Sequence, residues 1–416
     1  MADGKKKIAY AHIQFPKLSE TFVWREIAAL EEMGVEIRNY SLKPPFSDEV
    51  NDENARFIDG TTYLPHFLSP AVFLSHIKLF FRKPLVYAGT LLKIMTSRYP
   101  PGNWWLAWRK PLIFWRAAHL ADIIEKDADI KHIHAHFKYV AILAWIVNRF
   151  TGISYSYMAH FATNSLMVGR ISADALFVVA ASERERRLVE RAMPSGSDTP
   201  VHLVRLGLPE EYLSGEAGVS RDDVPTIISV GRCIPKKGHG PLLDAMSVLK
   251  RRGVEFKAII VGDGPMLNDL KRLCSESGLD DIVFFAGART ASWIREALDK
   301  SRLFALFCTY GPDGDVDGLP VAVMEAMARG LPVVTTRISS LAELVEDGAG
   351  GVLVEPDDVE GFADALARLV KDPVGARAMG EKGREKIISE YTLERQAENM
   401  KELFDNIKKD GGADAR

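Results

Sequence analysis

Two carboxylates, Asp317 and Glu325, lie in Asp317-Gly-Leu-Pro-Val-Ala-Val-Met-Glu325-Ala-Met-Ala, where an acidic loop runs into an apolar helical stretch. A charge inside an apolar helix is costly unless something pairs with it, so Glu325 reads as a ligand-binding group, with Asp317 at the start of the helix. The unbroken apolar run Leu303-Phe-Ala-Leu-Phe-Cys308 comes just before and predicts a parallel strand covered on both faces. Strand, acidic loop and helix N-terminus in that order form the place where open α/β sheets bind polar ligands. A second such place follows the strand Thr226 to Val230, in Gly231-Arg-Cys-Ile-Pro-Lys-Lys-Gly-His-Gly240. Arg232 can fork onto phosphate oxygens while Lys237 supplies a point charge, so the pair could hold a diphosphate and replace a metal ion. In Val261-Gly-Asp-Gly-Pro265 the two glycines would let a flat ring approach the backbone. The full dinucleotide fingerprint is missing there, which disfavours a dehydrogenase.

The first half of the chain carries a different set. In Phe15-Pro-Lys-Leu-Ser-Glu-Thr-Phe22, Ser19 reads as the N-cap of a helix running to Met33. The free amides beyond it, from Glu20 and Thr21 onward, could hold a phosphate or carboxylate. His132, His134 and His136 alternate, so an extended strand places all three on one face, near His160 in Met158-Ala-His-Phe161. Three imidazoles invite a metal, but no fourth ligand is visible in the sequence and none is expected. Asp313-x-Asp315-x-Asp317-Gly318 imitates the opening of a calcium loop. Such a loop needs Glu at its twelfth position, where this chain has Met324.

The elements that must position these groups alternate strand and helix twice. A chain of 416 residues, 47% hydrophobic, exceeds one ordinary core. Strands are predicted at Lys7 to Ile13, Val35 to Tyr40, Ile130 to His134, Ser154 to Met158 and Leu176 to Val179. After a linker at 209–225 they resume at Thr226 to Val230, Lys257 to Val261, Ile282 to Phe285, Leu303 to Cys308, Pro332 to Thr335 and Gly351 to Val354. This βα rhythm predicts two doubly wound Rossmann-like domains, 1–208 and 226–390, facing each other across a cleft. A charged helix at 391–416 is expected to pack back on the first. Cys233, Cys274 and Cys308 are too scattered for a disulfide framework, as in a reducing cytosol. The net charge of −3 and the lack of a binding motif argue against nucleic acid.

Gly231-Arg-x-x-x-Lys-Lys-Gly-His, Val261-Gly-Asp-Gly-Pro and Asp317-Gly-Leu-Pro-x-x-x-Met-Glu-Ala-Met-Ala, in this order and spacing, resemble the donor half of family 4 retaining glycosyltransferases of the GT-B fold. The resemblance implies that Arg232 and Lys237 hold a nucleotide diphosphate and that Glu325 binds the ribose. The loop Gly262, Asp263, Gly264, Pro265 would lie by the base, with Arg289 also on the donor side. Asp317, Gly318, Leu319 and Pro320 would meet the donor sugar, although the family usually carries Glu where this chain has Asp317. Pro-x-x-Ser-Glu-Thr-Phe resembles the exopolysaccharide and colanic-acid-type branch, placing Ser19, Glu20 and Thr21 on the acceptor side with His134 and His136. Met158-Ala-His160 resembles the family's Thr-Ala-His, so His160 belongs at the reaction centre; Thr163 and Asn164 stand where the family often has Asp. No cofactor is implied beyond the nucleotide sugar, a UDP- or GDP-sugar.

From Gly60 through Ala121 there is no Asp or Glu, while Lys78, Arg82, Lys83, Lys93, Arg98, Arg109, Lys110 and Arg116 are all basic. Trp104, Trp105, Trp108 and Trp115 lie in the same stretch. On a helix, Phe73, Ile77 and Phe80 share one face and Ser75, Lys78 and Arg82 the opposite one. Basic, aromatic, amphipathic segments bind anionic membrane surfaces. The N-terminal apolar stretch is too short for a signal peptide, and no run of about 18 apolar residues follows. The expectation is a hexosyltransferase in the cytoplasm, peripheral on the inner face of the membrane, acting on a lipid-linked or polysaccharide acceptor. A nucleotide-sugar epimerase and a weakly active sugar-nucleotide-binding protein are the alternatives.

Overall fold

The computed structural model describes residues 7–47, 50–96, 110–160, 166–214, 224–312, 314 and 316–410. The chain divides into two compact units, Met1–Leu206 with Leu393–Arg416, and Gly207–Thr392. The first holds a seven-stranded sheet built from β1 (Lys7–Gln14), β2 (Ile37–Lys43), β3 (Thr61–Tyr63), β4 (Ile130–His136), β5 (Ser154–Ala159), β6 (Phe177–Ala180) and β7 (Val201–Leu203), in the order β3-β2-β1-β4-β5-β6-β7. The second holds β8 (Thr226–Val230), β9 (Lys257–Val261), β10 (Val283–Gly287), β11 (Leu303–Leu306), β12 (Val333–Thr336) and β13 (Gly351–Val354), in the order β10-β9-β8-β11-β12-β13. Every ladder is parallel. Helices cover both faces, so the strand interiors are almost wholly buried, as parallel sheets require.

Several boundaries differ from the sequence reading. Val35 does not start a strand, because its amide donates to the Leu30 carbonyl at 3.0 Å and closes the preceding helix. The apolar run after Leu303 leaves the sheet at Leu306, where the Cys308 amide turns back onto the Leu306 carbonyl at 3.0 Å. β3 and β7 have three residues each, too short for any alternation to show in the sequence. Within the stretch read as a linker, Glu210–Leu213 forms a helical turn whose Tyr212 and Leu213 are buried. The terminal helix Leu393–Asp410 packs along the helix Thr21–Glu32 inside the first unit, burying Gln396, Ala397, Met400 and Phe404 at helical spacing.

The helix Pro70–Arg82 corrects the expected solvent face. Val72, Ser75, His76 and Leu79 point inward, whereas Phe73, Leu74, Ile77, Phe80 and Phe81 are exposed. Ser75 is turned in because its hydroxyl donates to Asp122 Oδ2 at 3.0 Å and meets His119 Nδ1 at 2.9 Å. Among the described residues, no helix is long and apolar enough to cross a membrane.

Candidate functional site

In the second unit the strand order reverses between β8 and β11, so the loops at their carboxyl ends part there and leave room for a ligand. After β8 the chain makes a 3-10 turn, Pro235–Lys237, and Gly238 (φ 63) starts the helix His239–Arg251. A side chain at Gly238 would collide with the Phe307 carbonyl at the end of β11, 1.7 Å from its Cβ. The Thr309 amide donates to the Lys236 carbonyl at 3.1 Å, fastening the two loops together. Lys237 therefore reaches across to pair with Asp317, and Lys236 Nζ lies 3.4 Å from the same carboxylate. The expected diphosphate cation and the expected sugar-side acid are neighbours. Arg232, on the same loop, is exposed.

The Gly262 to Pro265 loop is brought to this place by backbone contacts. A Cβ at Gly262 (φ 142) would sit 1.9 Å from the Gly231 carbonyl, and one at Gly264 (φ 153) 2.7 Å from the Cys233 carbonyl. Both glycines serve the close approach of the loops after β8 and β9. Cys233 donates its amide to the Asp263 carbonyl at 2.9 Å, and Asp263 Oδ1 accepts the Gly264 amide at 2.6 Å. His239, which the sequence reading passed over, donates from Nε2 to the Gly231 carbonyl at 3.2 Å; burial lowers its pKa to about 4, so the ring is neutral. Arg289 is exposed on the loop after β10, its guanidinium 5.3 Å from the Trp293 ring.

Glu325 is half-buried, not buried as its apolar neighbours implied. The helix Val321–Ala328 presents Val321, Ala322 and Glu325 on its open side and turns Val323, Met324, Ala326, Met327 and Ala328 into the core. Pro320 is its N-cap, with no side-chain cap. Gly318 is buried, and its carbonyl accepts the Ser339 hydroxyl at 3.1 Å. Ser339 itself holds φ 52, so the acidic loop is braced from the segment after β12. Leu319 is half-buried beside it. Asp313 and Asp315, the front of the calcium-like pattern, lie outside the described residues. The Cys308 thiol, fully buried next to this loop, is pushed up to about 12 by burial and stays protonated.

In the first unit His132, His134, His136 and His160 are all buried. The three on β4 are each held by β5 or by its end. His132 meets Ser154 and Ser156 at 2.9 and 2.7 Å, His134 Nδ1 meets Ser156 at 2.8 Å, and His136 Nδ1 meets His160 Nε2 at 2.9 Å. Burial lowers His132 to about 3; it also drives His134 and His160 well below their ordinary value, helped by His136. Phe22 and Phe137 pack against His160 at 4.6 and 4.7 Å, Phe137 with a strained φ of 69. Thr163 and Asn164 lie outside the described residues.

Glu26, Tyr10 and Gln396 join this cluster, and no sequence motif announced them. Tyr10 donates to Glu26 Oε1 at 2.9 Å, His136 Nε2 lies 3.1 Å from the same oxygen, and Gln396 donates to Oε2 at 2.6 Å. One ligand atom each from Glu26, His134 and His136 lies within 4.8 Å of the others, so these three could hold a cation. Ser19 is not the N-cap of the helix Thr21–Glu32. It lies inside the 3-10 turn Leu18–Glu20, and Glu20 takes the N-cap place without a side-chain cap. Glu20 is held instead by Lys17 Nζ at 2.9 Å.

The loops after β8 and β11, with two lysines against a carboxylate, lie within residues 216–386, which match the family model described as glycosyl transferases group 1. Among known proteins, the amylovoran biosynthesis glycosyltransferase AmsK of Erwinia amylovora is 25% identical over 420 residues, 96% of this chain and 100% of that one. A GDP-mannose-dependent α-(1-6)-phosphatidylinositol monomannoside mannosyltransferase of Mycolicibacterium smegmatis is 32% identical over 217 residues. That match covers 51% of this chain and spans about half of the relative, 55% of its length. Anabaena HepE, solved in complex with UDP and glucose, superposes with a TM-score of 0.70 at 15% identity, covering 96% of this chain and 100% of HepE. The two parallel-sheet units are those of the GT-B fold.

Proposed function

We propose that this chain is a retaining, metal-independent hexosyltransferase of family 4 that takes its sugar from a nucleoside diphosphate donor bound by the second unit. The observation that carries this reading is the contact of Lys236 and Lys237 with Asp317, where the β8 and β11 loops part. Arg232 and Lys237 would bind the diphosphate, Glu325 the ribose, and Asp317 with Gly318 and Leu319 the sugar. As the glycosidic bond breaks, negative charge grows on the diphosphate, and the two cations stabilise it where a metal would otherwise be required. The leaving phosphate, on the same face as the incoming hydroxyl, can accept its proton, so no strong protein base is required. His160 belongs at the reaction centre, beside the transferred sugar.

The acceptor is a lipid-linked or growing polysaccharide, in keeping with the exopolysaccharide named for AmsK and the glycolipid named for the mannosyltransferase. A place on the inner membrane surface fits the exposed apolar side of the helices Pro70–Arg82 and Pro84–Thr96, where Phe81 is 78% and Leu85 87% exposed. The test is donor turnover in the presence of EDTA, followed by proton NMR. One of UDP-glucose, UDP-galactose and GDP-mannose should be consumed, and the sugar first released or transferred should keep the α configuration.

A further inference from the structure

His239 is 2% exposed at the start of the helix His239–Arg251, and its side chain turns back to the end of β8. A carbonyl oxygen only accepts, so the 3.2 Å contact with the Gly231 carbonyl places a proton on His239 Nε2 whatever the charge on the ring. Nδ1 is buried without a hydrogen-bond partner among the described residues. An unpaired buried acceptor costs stability, and a leucine would fill comparable space without that cost. What the imidazole adds is therefore the bond from Nε2 to Gly231.

That bond completes the fixing of one peptide. The Gly231 amide donates to the Val261 carbonyl at 2.9 Å. The Gly231 carbonyl takes the His239 bond while lying so close to Gly262 that a Cβ there would be 1.9 Å away. The stem of Lys237 lies over the Cα of Gly231: a Cβ on Gly231 would sit 3.2 Å from Lys237 Cδ and 3.5 Å from its Cγ and Cε. From there Lys237 reaches Asp317. Turning the Gly231 carbonyl would therefore shift the bed on which Lys237 rests.

We propose that His239 is a positioning residue of the donor site, holding the Gly231 peptide so that Lys237 is set in place before a diphosphate arrives. It acts through Lys237, and so presupposes that Lys237 binds the diphosphate, as proposed above. Order already present in the free protein adds affinity, because less conformational freedom is lost on association.

The experiment is isothermal titration of the full-length chain with UDP and with GDP. The proteins are wild type, His239→Leu, His239→Gln, Lys237→Ala and the combination of Lys237→Ala with His239→Leu, each shown to be folded by urea unfolding. Gln carries a donor nitrogen the same number of bonds from Cβ as Nε2, so His239→Gln should bind the better nucleotide within about threefold of wild type. His239→Leu should weaken binding about tenfold, but only about twofold or less when Lys237 is already Ala, because its effect passes through that side chain. If His239→Leu does not fold, His239→Asn, whose amide is one bond too short, takes its place. Wild-type affinity in the Leu or Asn variant, a Gln variant no better than either, or a full tenfold loss in the Lys237→Ala background overturns the inference. If wild type binds neither nucleotide, or Lys237→Ala binds as wild type does, the assignment of the diphosphate to Lys237 fails instead.

Discussion

At the scale of single residues, Asp317 decides most. In the proposed site its carboxylate would meet the donor sugar, and it lies against the two lysines that would meet the diphosphate, so its removal should have opposite effects on two ligands. Asp317→Asn should lower kcat/KM for the sugar donor about 10- to 100-fold through loss of a charged hydrogen bond. Free nucleoside diphosphate should bind about two- to tenfold tighter, because Lys236 and Lys237 lose a competing anion. Asp317→Glu should recover part of the turnover. Isothermal titration with UDP and GDP, run beside donor hydrolysis, checks both signs, and unchanged values in both variants would remove Asp317 from the site. That Lys236, Lys237 and Asp317 come together was suggested by the sequence, because cations and glycines follow one strand and an acidic loop follows another at the point where a parallel sheet opens. What Gly262 and Gly264 do was not, since the Gly231 and Cys233 carbonyls that fill their space come from another loop. Glu26 was hidden for a related reason: inside Trp-Arg-Glu-Ile it looks like any helical acid, and only packing brings His136 and Gln396 to it.

At the scale of elements, the acid-free stretch from Gly60 to Ala121 acquires its counter-charges from just beyond its end. Arg82 Nη1 lies 2.8 Å from Glu125, Lys83 3.9 Å from the same side chain, and Lys78 3.9 Å from Asp122. Arg116 donates to the Leu42 and Pro65 carbonyls at 2.5 and 3.2 Å. Charge composition alone therefore overstated the basic face. Its apolar side, Phe73, Ile77 and Phe80, is exposed, while Ser75 of the opposite face turns inward. Burying an exposed Phe or Leu in the acyl boundary contributes about 1.5–3 kcal/mol, against about 1 kcal/mol for a basic residue at an anionic surface. Flotation with vesicles of neutral and of anionic phospholipid should thus recover the protein in both, with little loss on adding salt. Phe81→Ser combined with Leu85→Ser should abolish recovery. Protein that stays out of both vesicle fractions would rule out this surface.

At the scale of the whole molecule, both sheets were largely legible because buried parallel strands leave continuous apolar runs. The three-residue edge strands were not, because so short a segment is fixed by its neighbour's ladder. The first unit also stores a pH dependence. Burial lowers His12 and His132 to about 3 and drives His134 and His160 well below 6.5, so folding holds these rings neutral while the unfolded chain would protonate them. Stability from these groups is complete above the unfolded pKa of about 6.5 and is lost as pH falls below it, at up to about 1.4 kcal/mol per pH unit for each ring. Urea unfolding from pH 8 to pH 4.5 should show a plateau and then a steep decline below pH 6.5; a flat profile to pH 5 would contradict this. The central claim, hexosyl transfer from a nucleoside diphosphate sugar held by Arg232 and Lys237, is tested most directly by NMR-monitored donor turnover in EDTA. Wild type should consume one of the three sugar nucleotides with retention, and Arg232→Ala with Lys237→Ala should reduce kcat by about a hundredfold or more. Turnover that needs added metal, gives an inverted product, or survives loss of both cations would contradict it.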